Sequence, residues 1–201
     1  YSLAESTTAA KELRKMQKLF QYGGIAASIV LIAFGIGSIY MGFDGRDRVR
    51  DDLAREQIVG TEDSTIPGQK VDTGSEAQAF ANVIRKHTLE ATGGKTYAQM
   101  GRYLDAQGND TSDESKAAID EKTGKPVENG LRNMWINATA LTTALNTAYF
   151  AESVATFAIV MGVALLLAGI GFGVLSLRAL TPAATREGSP AQADPAAVAH
   201  A

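Results

Sequence analysis

The chain has no cysteine in its 201 residues, which excludes a disulfide frame and any thiolate metal or redox site. Histidine occurs only twice, at His87 and His200. Charge is missing altogether from two stretches of 25 residues each, 19–43 and 153–177. A helix needs ~20 predominantly apolar residues to cross the ~30 Å hydrocarbon core of a bilayer. Both stretches exceed that length. A net charge of -3 and a near-zero mean hydropathy would fit one soluble domain, but they average over two apolar blocks and a polar remainder. A soluble enzyme with a single large core is therefore not expected, and the fold class predicted is an all-α membrane protein with two transmembrane helices.

The first block, residues 22–43, follows KELRKMQKLFQ, which carries Lys11, Arg14, Lys15 and Lys18. A secretory signal has an apolar region of ~7–15 residues and a small-residue cleavage site. This run is longer and ends in IYMGFDGR, so an uncleaved anchor is predicted. Positive charge stays on the cytoplasmic side of a span, so residues 1–21 are expected to be cytoplasmic. Residues 44–152 are then expected outside, and residues 153–177 return the chain. Arg178 and Arg186 follow in a Pro- and Ala-rich tail, residues 178–201, predicted to be disordered and cytoplasmic. The outer segment holds 13 basic and 18 acidic residues, against 6 and 4 in the terminal parts. So long a segment does not set topology by its own cations.

Small residues recur at four-residue spacing in both blocks: Gly24 with Ser28, Ala33 with Gly37, Ala158 with Gly162, Gly169 with Gly173. Such spacing lets another helix backbone approach closely. Neither block contains Asp, Glu, Lys, Arg or His. Proton relays and ion paths place such groups within their spans, so a transporter working alone is not expected.

In the outer segment, RDRVRDDLAREQ at residues 46–57 alternates sign and reads as a solvated helix face rather than a headgroup site. EDSTIPGQKVDTGSE reads as a loop. Ser75 is expected to cap a helix at residues 76–91 that Gly93 and Gly94 stop. Thr96 and Gln99 have capping-box spacing and should open a short helix. Residues 105–130 are polar, with a short helix near Asp113–Asp120 and a hairpin at TGKP both open, and a mobile loop is expected there. From Leu131 the residues Met134, Trp135, Ala138, Leu141, Leu145, Ala148 and Tyr149 recur at three- and four-residue steps. They form one apolar stripe on a helix predicted to run unbroken into the second span. At ~1.5 Å per residue its outer part rises ~30 Å. The 76–91 helix and a partner protein are the two covers considered for that stripe.

HTLEATGGKTYAQM and MWINATALTTALNTAYF, leading into a Gly/Ala-rich span, resemble a family of uncharacterised two-span actinobacterial membrane proteins with an Ala-Thr-Gly-Gly-Lys-Thr-Tyr-Ala motif. The resemblance covers the spans and residues 76–100 and 131–177, with residues 101–130 an insertion. Members are often labelled subunits of an aromatic-ring-opening dioxygenase. Non-haem iron of that kind takes two His and a carboxylate. His87 has Glu90 three residues on, but His200 is predicted on the opposite side of the membrane, so the two cannot share a metal within one chain. GGKT lacks the first glycine of a phosphate loop, since Leu89 stands there. Asp105, Asn109, Asp110, Asp113 and Glu114 lack the calcium-loop glycine at its place.

No catalytic residue, cofactor or metal ligand is therefore assigned. The function expected is a non-catalytic accessory subunit of a larger plasma-membrane complex of the respiratory or transport kind. The alternative is a stand-alone envelope module binding a lipid or cell-wall ligand, with a pocket lined by Phe80, Trp135 and Tyr149 as its mark. Expected partners are other membrane-protein subunits and the lipid bilayer. Nucleic acid is not expected, given the acidic outer segment. Interface candidates are Trp135, Leu141, Tyr149, Gly169, Gly173, Gly24 and Ser28.

Overall fold

The computed structural model describes residues Ser2–Arg178, so the Pro- and Ala-rich tail, with His200, lies outside the described residues. The chain is mostly helical. Helix α1 spans Ser2–Arg55, α2 spans Gly74–Ala91 and α3 spans Gly130–Arg178. Two helices, Lys11–Arg55 within α1 and α3 itself, are long and apolar enough to cross a membrane. The expectation of an all-helical chain needs one correction, because β1 (Tyr103–Leu104) pairs antiparallel with β2 (Asp110–Thr111). Among the described residues, Ser2–Ile32 and Leu167–Arg178 form one compact unit, and Ala33–Leu166 form a second.

In the first unit α1 and α3 approach through small residues. The Ser28 hydroxyl donates to the Gly169 carbonyl oxygen at 2.6 Å. A Cβ on Gly169 would lie 3.0 Å from the Ile32 nitrogen, and one on Gly173 would lie 2.8 Å from the Ser28 Oγ. Gly24 faces Ser176 as closely.

In the second unit the helix pair also meets through small residues. A Cβ on Gly35 would meet the Gly162 carbonyl oxygen at 2.8 Å, and one on Gly42 would meet the Ala155 carbonyl oxygen at 2.7 Å. Rising numbers on α1 meet falling numbers on α3, so the two run antiparallel. Buried positions recur at steps of seven, Ser28, Gly35 and Gly42 on α1 and Ala155, Gly162 and Gly169 on α3. Seven is two helical turns, which returns a small residue to the same face each time.

Beyond the seam the second unit builds a core from Leu53, Val71, Ala77, Ala81 and Leu145, flanked by Phe80, Ile84 and Ala148. α1 continues past its apolar block through RDRVRDDLAR and ends where Gln57 adopts a left-handed φ of 54°. The following loop folds back on itself, with Val71 N–H donating to the Ile58 carbonyl at 2.9 Å and Val71 only 1% exposed.

The cap of α2 is Thr73, not Ser75. The Thr73 side chain accepts from the Glu76 amide, and Glu76 accepts from the Thr73 amide at 2.9 Å. That reciprocal box satisfies two end donors at once, which Ser75 could not do because it already lies inside the helix. The stop is as expected: Gly93 and Gly94 take φ of 62° and 80°, a conformation glycine adopts without steric cost. Thr96 and Gln99 form their box around a 3-10 turn, Tyr97–Gln99.

Residues 105–130, expected as a mobile loop, are laced by hydrogen bonds. Both features left open there occur: Glu114–Lys116 is a short 3-10 turn, and the chain reverses at TGKP between the paired Ile119 and Pro126. Asn129 then caps α3, its side-chain oxygen accepting from the Leu131 amide at 3.1 Å.

Candidate functional site

The seven interface candidates separate sharply. Gly24, Ser28, Gly169 and Gly173 are used up within the chain, between α1 and α3, so they do not form an outward assembly face. Trp135 is 8% exposed and lies against α2, with the Arg85 guanidinium 5.7 Å from its ring centre. It is a packing residue of the unit rather than an open anchor. Leu141 is 57% exposed and Tyr149 37%. The stripe was right in its spacing, but α2 covers one flank of it and leaves the other bare.

That bare flank is one wall of an apolar groove of about 640 Å³. Phe80 and Ile84 of α2, Leu141, Leu145 and Ala148 of α3 and Val49 of α1 line it. The charged residues in its lining are Asp52 and Glu56, both acidic. Trp135 and Tyr149 line separate, more polar recesses. Phe80, Trp135 and Tyr149 thus line three different recesses.

Close to the start of the second apolar block sits an ionic clasp that the sequence reading passed over. The Glu152 side chain, 12% exposed, accepts from Arg46 Nε at 3.1 Å and Arg50 Nε at 2.8 Å through one oxygen. Its other oxygen accepts from the Gly74 amide at 2.5 Å, at the first turn of α2. A carboxylate there also meets the positive end of the α2 dipole. One side chain thus ties three helices together. Glu152 is the only charge in residues 133–177, and so isolated a charge on an apolar helix implies a buried partner. That signal was available in the sequence.

The GGKTYA run is a structural tie. Lys95 Nζ donates to Asp110 Oδ1 at 2.8 Å, and the Gly101 amide donates to Asp110 Oδ2 at 2.7 Å. The Lys95 ammonium beside it, and then the Gly101 amide, hold the Asp110 carboxyl below its usual range. Arg132 at the start of α3 stacks over Tyr97 at 4.1 Å from the ring centre. The motif therefore fastens the end of α2 to the β1–β2 hairpin and to α3.

Comparison with family profiles, with curated proteins and with solved structures finds no match to this chain. Its chemistry must be read from its own side chains. His87 does not face Glu90 for a metal; its Nε2 lies 2.8 Å from Asp63 Oδ2, which also accepts from Lys86 Nζ at 2.9 Å. The acidic residues of 105–114 are spent on turns: Asp105 accepts from the amides of Gln107 and Asn109, Asp113 from the Ser115 amide and hydroxyl. Glu114 accepts from the Tyr103 hydroxyl at 3.3 Å.

Proposed function

We propose that this chain is a non-catalytic accessory subunit of a larger membrane complex, anchored by two spans and holding its second unit's outer part, residues 44–152, on the extracytoplasmic side. The observation that carries this reading is the groove. It is mostly apolar, and Leu53 and Leu145 of the buried core form part of its wall. The occupant it fits is a helix of another membrane subunit, apolar where it meets Phe80 and Leu141 and carrying Lys or Arg where it meets Asp52 and Glu56. Opposite charges at the rim of such a contact fix register and partner choice. The family resemblance implies the plasma membrane of an actinobacterium, and an assembly of the respiratory or transport kind is part of the same proposal.

The test is co-purification after mild detergent extraction. Leu141→Glu lies on an exposed position and should leave abundance and protease resistance intact while partner recovery falls at least tenfold, about 1.4 kcal/mol. Unchanged recovery would remove the groove from the account. A groove volume inside the range of small-molecule pockets favours one second reading, an envelope module that binds a lipid or cell-wall ligand there. A co-purifying small molecule in place of a protein, lost in the same variant, would establish it. The side of the membrane is checked by single cysteines: one at Ser112 should react with an impermeant thiol reagent on intact cells, and one at Ser189 should not. The reverse pattern would overturn the topology.

A further inference from the structure

We infer that the cleft beside the Glu152 clasp is a binding site for the phosphodiester of an anionic phospholipid. The inference rests on the membrane-spanning reading and is independent of the partner proposed for the groove. The cleft has a volume of about 380 Å³, and Arg46, Arg50, Ser75, Tyr149, Ser153 and Thr156 face it.

Its level is fixed by the charge pattern. Thr156 and Ser153 belong to the uncharged run of α3, whereas Arg46 stands only three residues past the uncharged run of α1. A cleft that straddles the end of both runs sits where lipid phosphates lie.

Its chemistry fits the same group. Arg46 and Arg50 contribute two positive charges and Glu152 one negative, so the set keeps a net positive charge. Glu152 engages Arg46 through Nε alone, which leaves the terminal N–H groups of that guanidinium for a second oxyanion. Guanidinium donors match phosphate oxygens in geometry as well as charge. The Ser153 and Thr156 hydroxyls donate back to the Tyr149 and Glu152 carbonyls. Tyr149 and Ser75, the latter with its hydroxyl 3.2 Å from Thr73 Oγ1, also line the cleft and carry neutral donors of the kind that accompany Arg at phosphate sites.

Neighbouring charges on α1 behave differently. Arg48 points away to Asp44 at 3.0 Å and Arg55 pairs with Asp52, both in open solvent. The alternating run is therefore a solvated face with one i, i+4 pair of arginines turned inward. A zwitterionic headgroup would bring its own cation to that pair, so an anionic lipid is the ligand the site selects.

The test uses the full chain in detergent, with phosphatidylglycerol and phosphatidylcholine as probes and native mass spectrometry counting retained lipid. The wild-type chain should retain phosphatidylglycerol preferentially. Arg46→Gln keeps an amide donor for Glu152 and should cut that retention roughly tenfold, with thermal stability in phosphatidylcholine unchanged. Arg48→Gln removes the same charge from the outward face and should change nothing. Glu152→Gln, which removes the competing anion, should raise retention. Equal retention by the two arginine variants would overturn the site. Displacement of the lipid by millimolar inorganic phosphate would overturn the lipid as its ligand, leaving a free-phosphate site. A chain that fails to insert into phosphatidylcholine vesicles would overturn the membrane reading and this site together, whereas one that inserts and shows no lipid preference overturns this site alone.

Discussion

Two stretches of α3 solve the same problem with opposite materials. Its N-terminal part packs with Trp135, Ala138 and Leu145 against α2 and draws on charge at Arg85 and Glu152. Its apolar block packs with Gly162 and Gly169 against α1, where the Ser28 hydroxyl donates to the Gly169 carbonyl. In water, burying large apolar side chains is itself the driving force. In hydrocarbon that force vanishes, and close backbone approach through small residues takes its place. On the proposed membrane-spanning reading, the surrounding solvent decides which substitutions each stretch tolerates.

The largest effect is expected where a large side chain packs between α2 and α3. Trp135→Ala would leave a cavity beneath Arg85 and should cost on the order of 3–5 kcal/mol. Limited proteolysis should then cut within residues 92–130 while the protein still fractionates with membranes. Intact proteolytic resistance combined with lost partner recovery would instead make Trp135 an interface residue.

The opposite substitution tests the apolar blocks. Gly162→Leu puts carbon where the Gly35 carbonyl oxygen and the Ile39 nitrogen lie within 3 Å, and neither backbone can swing aside. Overpacking of this sort costs about 1–3 kcal/mol, read as a lower melting temperature in detergent. The same change at Gly37, whose added Cβ meets nothing within 4 Å, should be nearly silent. Equal effects at the two glycines would mean that α1 and α3 do not pack along this seam.

A smaller loss is expected for Ser28→Ala. It removes the hydrogen bond to Gly169 and leaves that carbonyl without its side-chain donor. Interhelical hydrogen bonds inside membranes contribute about 1 kcal/mol, so a modest fall in melting temperature is the expected outcome. No change would assign the seam's stability to packing alone.

The contrast between the stretches also explains which features were legible in the residues. Uncharged runs announce spans, and glycines with positive φ announce stops, because each follows from one local rule. The continuation of α3 from Gly130 was legible for the same reason: nothing in it breaks a helix before Gly162. The cap of α2 follows from a T-x-x-E box, Thr73 to Glu76, two residues ahead of the expected Ser75. Buried small residues follow seven-residue steps, whereas a four-residue pair such as Ala33 with Gly37 leaves both members exposed or half-buried. Strands of two residues, as at Tyr103 and Asp110, carry no period at all, so the small hairpin could not be foreseen. The groove was out of reach for another reason. Whether Leu141 or Trp135 is covered depends on where α2 lies, and that is set by Glu152 and Gly74, 78 residues apart.

The smallest effect concerns the surface tether that holds the 58–72 loop to α2. Lys86 first, then His87 and the Thr61 hydroxyl, hydrogen-bond Asp63 and hold its carboxyl well below the usual carboxylate range, while Asp63 pushes the Lys86 ammonium up. A carboxyl depressed on folding stabilises the native state above its unfolded pKa of about 3.9. That contribution fades as pH falls through the depressed folded value, because the unfolded chain takes up its proton first. For Lys86 the sign is reversed: its contribution is complete below about 10.4 and is lost as pH rises through the raised folded value. The tether should therefore act across the neutral range and weaken at both extremes. Asp63→Asn is expected to lower the melting temperature slightly near pH 7, with the gap to wild type closing in strong acid. Because the pair is open to solvent, salt should shrink the same gap. A gap that persisted unchanged from neutral pH to strong acid and high salt would show that Asp63 acts through loop geometry, with its Thr61 contact, rather than through charge.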